Sequence, residues 1–126
     1  MNRIIPYSRK LVIAWAILIF ILSLLPPGAI EMLHWNLLSR DKLLHTIFYS
    51  IFSILVNEAL GLTTTKSGFS VYIRAFLICT SYGILMECLQ YLENLGRIFD
   101  AGDILANTFG TGLGIICYKL IKHFKA

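Results

Sequence analysis

Four apolar stretches, 11–25, 43–62, 70–92 and 104–121, alternate with short polar segments along this chain. About 20 apolar residues in helical form match the thickness of a bilayer. A backbone crossing hydrocarbon has no water to bond, so the helix, which satisfies its own polar groups, is the expected form. Composition agrees. Hydrophobic residues make up 57% of the 126 and charged residues 14%, against about 25% charged in soluble domains. The predicted fold is an all-α membrane protein: one domain, residues 1–126, built as a bundle of four transmembrane helices.

The first stretch is short, but Arg9 and Lys10 beside it can snorkel and extend it. It is followed by Pro26-Pro27-Gly28-Ala29. That is a poor signal-peptidase site, so the stretch reads as an uncleaved helix. Within the following loop, 28–42, the piece AIEMLHWNLL is expected to form a short helix at the membrane interface. Trp35 would anchor it. His34 reads as a solvated interfacial residue.

Basic residues set the orientation. Four spans place both termini on one side. That side collects Arg3, Arg9, Lys10, Lys66, Arg74, Lys119, Lys122 and Lys125, eight of the eleven Lys and Arg residues. Both termini are therefore predicted to be cytoplasmic. The net charge of +4 follows from this distribution. No basic stripe interleaved with aromatics points to nucleic acid. Three cysteines, Cys79, Cys88 and Cys117, lie in apolar segments and read as small buried hydrophobes.

Polar residues inside the spans carry the functional signal, because ionisable groups at membrane depth cost free energy. Asp41, Lys42 and His45 open the second span; Tyr49 continues the same face. Glu87 and Gln90 lie three apart near the end of the third. Arg97, Asp100, Asp103 and Asn107 follow through the loop into the fourth. All belong to the outer side. Counting outward from Arg97 matches Glu87 in depth with Asn107, and Gln90 with Ile104 and Asp103. His45 and Glu87 are the candidate proton-transfer residues. Lys42 and Arg97 suit an anionic group, and Asp41, Gln90, Asp100, Asp103 and Asn107 complete a ligand-binding set. Each has a structural alternative. Ser39 or Asp41 can cap the second helix and Asp100 or Asp103 the fourth. His45 can hydrogen-bond a neighbouring helix, and Glu87 can close the bundle in a salt bridge. Gly110 and Gly114 form a GxxxG surface for a close helix neighbour. Glu58 and Arg74, equidistant from Lys66, are expected to pair at the cytoplasmic edge. The carboxylates, His45 and Asn107 together can bind a divalent ion, but they come from three helices with no HExxH-type pair. Neither a metal nor a cofactor is assigned.

At these residues the chain resembles the VanZ-like family of bacterial membrane proteins, named for a teicoplanin-resistance protein. The shared pattern is Asp41-Lys42-x-x-His45, then Glu87-x-x-Gln90, then Arg97, Asp100, Asp103, Asn107 and Gly110. It covers about residues 39–114. The resemblance implies a small multi-pass protein of the bacterial cell membrane, and some members are associated with reduced sensitivity to teicoplanin-type glycopeptides. No biochemical activity comes with it. Two functional readings follow. In one, the outer polar site binds or processes the polar headgroup of an envelope lipid, a lipid-linked wall precursor or a lipoglycopeptide. In the other, the same residues form an interhelical network in a non-catalytic scaffold.

Overall fold

A computed structural model of the chain contains four helices: α1 (Ile4–Ser23), α2 (Leu37–Gly61), α3 (Gly68–Leu92) and α4 (Ala101–Lys125). The structure describes residues 4–24, 37–61, 68–92 and 101–125, with side chains from Tyr7 onward in α1 and from Lys42 onward in α2. Each helix corresponds to one apolar stretch and overruns it into polar sequence. Backbone hydrogen bonding continues for as long as the residues tolerate it, whatever the hydropathy. Within the described residues, α2 from Lys42, α3 and α4 are long and apolar enough to cross a membrane. The expected interfacial helix falls mainly on residues outside those described. Because α2 begins at Leu37, Ser39 and Asp41 lie inside its first turns rather than at its cap.

The distribution of polarity is that of a protein dissolved in lipid. Among the largest fully buried side chains are Glu87, Asn57, Asn107 and Thr111. The exposed surface carries Ile47, Ile73, Leu77, Leu85, Leu105 and Phe109. Lipid tails are as apolar as leucine, so there is no drive to hide these outer residues. Close packing and interhelical hydrogen bonds hold such a bundle together instead.

The helix α2 touches all three others. On one side an aromatic and aliphatic core joins it to α1 and α3, with Ile19, Phe52, Val56, Cys79 and Met86 at its centre. Trp15 packs on Phe48, ring centroids 5.4 Å apart, and its Nε1 donates to the Phe48 carbonyl at 3.0 Å. Tyr82 on α3 donates to the Ala16 carbonyl, and Gln90, two turns further on, to the Ser23 carbonyl at 2.7 Å. Contacts that climb both helices together show α1 and α3 to be parallel.

On its other side α2 meets α4 in the most extensive contact of the bundle. Here the two helix backbones nearly touch. A Cβ at Gly110 would overlap the Thr46 carbonyl and lie 2.9 Å from the Thr46 Cα; one at Gly114 would overlap Ser53 Oγ and the Ser50 carbonyl. The GxxxG surface therefore packs as the sequence implies, with α2 as its partner. The hydroxyls of α2 exploit this approach. Ser50 Oγ shares its proton between the Gly110 carbonyl at 2.8 Å and the Thr46 carbonyl of its own helix at 2.7 Å, and Ser53 Oγ between the Thr111 carbonyl at 3.0 Å and the Ser50 carbonyl at 3.1 Å. Contacts advance along both helices together, so α2 and α4 are parallel.

This pairing corrects one expectation. Glu58 does not pair with Arg74: its carboxylate lies 3.8 Å from Lys122 Nζ on α4, and Arg74 is exposed. Equal distance from the α2–α3 turn fixes depth but not the side of the helix a residue faces. The glycine seam turns Glu58 toward α4, where Tyr118 and Lys122 share a groove of about 490 Å³ with it.

Candidate functional site

At the other end of the α2–α4 seam three helices bring their ionisable residues together. The helix α2 supplies Lys42, one turn above Thr46, and His45, next to Thr46 in sequence; α4 supplies Asp103 from its first turn and Asn107 from the next. The third helix, α3, supplies Glu87. A carboxylate in the first turn of α4 is favoured by the positive end of the helix dipole. Glu87, Asp103 and Asn107 are 2%, 7% and 1% exposed.

The geometry centres on His45. Its Nδ1 lies 2.8 Å from Asn107 Oδ1, so this nitrogen carries the proton and donates it to the amide oxygen. Its Nε2 faces Asp103 Oδ2 at 3.9 Å. Lys42 Nζ lies 3.6 Å from the other Asp103 oxygen. One ligand atom each from His45, Glu87 and Asp103 falls within 4.8 Å of the other two. Below this cluster Gly83 leaves room for Asn107 and Tyr49. A Cβ there would lie 3.0 Å from Asn107 Nδ2 and 3.3 Å from the Tyr49 ring.

His45, Glu87, Asp103, Asn107 and Lys42 thus meet at one end of the bundle, as the sequence leads one to expect. Gln90 is turned instead to the Ser23 carbonyl, at the C-terminal end of α1. Arg97 and Asp100, and the side chain of Asp41, lie outside the described residues. The depth count from Arg97 is off by one turn. Gly83 rather than Glu87 stands against Asn107, and Glu87 stands against Asp103. Counting treats the loop as symmetric, whereas the close packing of Gly83 sets the register.

The reading from spacing missed Thr46, Ser50, Ser53 and Asn57. Their 4-3-4 spacing places them on one face of α2, opposite a glycine pair, and that was the available signal. Thr46 and Asn57 bond back within α2, to the Lys42 and Ser53 carbonyls.

Chemically, a half-buried imidazole with two buried carboxylates can move a proton, hold a cation or bind an ammonium group. Fold and cluster together define a small multi-pass helical membrane protein with ionisable residues gathered at one end of its bundle. The family model described as VanZ/LLP1 matches residues 10–122, and the chain belongs to that family. No curated protein and no solved structure matches the chain.

Proposed function

We propose that the protein binds the polar headgroup of an envelope lipid, a lipid-linked wall precursor or a lipoglycopeptide at the outer face of the bacterial cell membrane. The observation that carries this reading is the meeting of His45, Glu87 and Asp103, from three helices, at the bundle end that also holds Lys42. In this reading α1 is a fourth span and both termini are cytoplasmic. Lys42 and Arg97 neutralise the phosphate or carboxylate of the headgroup. Asp41, Asp100, Asp103 and Asn107 position it. Gln90 holds α1 against α3 beside the site rather than reaching into it. If the headgroup is chemically altered, His45 or Glu87 is the group that moves the proton. A teicoplanin-type resistance role fits the same reading, since those antibiotics carry a lipid tail and ionisable groups.

Orientation is the first requirement. Reporter fusions at Ala126 and near Leu95 are expected to place the former inside and the latter outside, because basic residues divide eight to three. An external C-terminus removes the site from the outer leaflet.

The function itself is tested in cells lacking the protein and cells supplied with wild type, His45→Ala or Glu87→Gln. Envelope lipids and wall precursors are profiled alongside teicoplanin sensitivity. The expected result is that both variants accumulate in the membrane but leave the profile and sensitivity of the deletion. A second reading, the scaffold, is favoured by the Ser50 and Ser53 bonds and by Gln90, whose polar groups already join helices. It predicts instead that both variants lose abundance, with no change of profile beyond that loss.

A further inference from the structure

The His45–Asp103 distance has a feature that a simple ion pair leaves unexplained. Asn107 Oδ1 accepts the Nδ1 proton of His45 at 2.8 Å. When Nε2 carries no proton it presents a lone pair there, 3.9 Å from Asp103 Oδ2. This is too long for a hydrogen bond. Two ligand atoms each about 2.0–2.2 Å from a tetrahedral ion lie roughly 3.5 Å apart, so a shift of a few tenths of an ångström brings this pair onto one ion. The third ligand atom, from Glu87, completes a set within 4.8 Å, which a small side-chain rotation closes onto a common centre. Two carboxylates this near each other, both nine-tenths or more buried, are favoured by positive charge; Lys42 supplies some beside Asp103, and an ion between them would add to it.

We propose that His45 Nε2, Glu87 and Asp103 bind a divalent transition-metal ion such as Zn²⁺. This rests on reading the cluster as a ligand site. One imidazole with two carboxylates suits such ions, and Asn107 plays the outer-sphere part that fixes the tautomer of a metal-bound histidine. A second observation points to a ligand in the same place. Asn107 Nδ2 and the Tyr49 hydroxyl are buried beside Gly83, with no hydrogen-bond partner among the described residues. Both are donors, and a phosphate or carboxylate oxygen brought in by the metal is the acceptor they match. Three protein ligands leave a coordination position open. The substrate class is therefore an anionic headgroup whose oxygen coordinates the ion.

The test uses the full chain purified in detergent, stripped with chelator and titrated with Zn²⁺. The expected result is one Zn²⁺ retained per chain after desalting, in the presence of excess Mg²⁺ and Ca²⁺. His45→Ala, Glu87→Gln and Asp103→Asn should each weaken it by roughly 100-fold or more, and Asn107→Ala by roughly 10-fold. Glu58→Gln, at the far end, and the double change Cys88→Ser with Cys117→Ser should leave it unchanged. A measurement free of any folding defect is the visible spectrum of the Co²⁺-loaded wild type. It should show nitrogen and oxygen ligation without a thiolate band. Absence of stoichiometric Zn²⁺, a thiolate band, or retention of Zn²⁺ by the His45→Ala variant overturns the inference. If Zn²⁺ fails to bind while the lipid profile still depends on His45, the metal alone is excluded. If Zn²⁺ binds as expected and the profile is indifferent to His45, the metal site stands and the headgroup reading falls.

Discussion

Gly110→Ala is expected to destabilise the bundle by about 1–3 kcal/mol, the usual cost of forcing an extra carbon into a packed interface, and Gly114→Ala by at least as much. At Gly110 the added carbon meets the backbone of Thr46, which cannot rotate away as a side chain can. At Gly114 it meets both the Ser50 carbonyl and Ser53 Oγ. Either change must push α2 from α4 and stretch the Ser50 and Ser53 bonds, at 2.8 and 3.0 Å. Gly112, between the two, has nothing within 4 Å of where its Cβ would be. Gly112→Ala is therefore expected to be neutral or to gain up to about 1 kcal/mol from helix propensity. Denaturant unfolding in mixed micelles, followed by the fluorescence of Trp15 against Phe48, measures all three. Equal effects at Gly110 and Gly112 would show that the helices do not pack through this seam.

Asp103→Ala is expected to cost about 1–3 kcal/mol, between the values for an exposed and a fully buried ion pair. The sign is not obvious, since Glu87 stands close by and losing one carboxylate relieves repulsion. Attraction wins by number. Asp103 faces Lys42 at 3.6 Å and His45 at 3.9 Å, and also sits at the positive end of α4. Lys42→Ala should cost well under about 1 kcal/mol, because its side chain is 40% exposed and turns readily to water. Both values are to be taken in chelator, so that only the side chains contribute. A stabilised Asp103→Ala variant would mean that carboxylate repulsion governs the cluster.

Much of this arrangement was legible in the sequence. The apolar stretches located the four helices, since hydrocarbon permits few other forms. The cost of charge at depth picked out His45, Glu87 and Asp103 before any contact was known. Lateral neighbours were harder to read. Distance from a turn measures how deep Glu58 lies, yet its partner is Lys122 on α4, which the turn does not adjoin. Gln90 looks the same on paper as Glu87. Only the place where α1 ends, which brings the Ser23 carbonyl to Gln90, separates their roles. The α2 hydroxyls were overlooked because serine and threonine in a span carry no charge to draw attention. Their significance depends on which helix stands opposite.

The glycine seam also sets the tolerances of the site. Sites of this kind need atoms held within about half an ångström of their working positions. His45 and Asp103 sit on different helices, and neither side chain controls the spacing of those helices. That spacing is gauged next to His45 and one turn below Asn107, where Gly110 rests on Thr46. A slip of α4 by one turn is about 5.4 Å, far more than the 2.8 Å contact between His45 and Asn107 can follow. The seam therefore works as a mechanical stop. An exchange there of one hydrogen atom for a methyl group, touching no ionisable residue, would detune the chemistry above it.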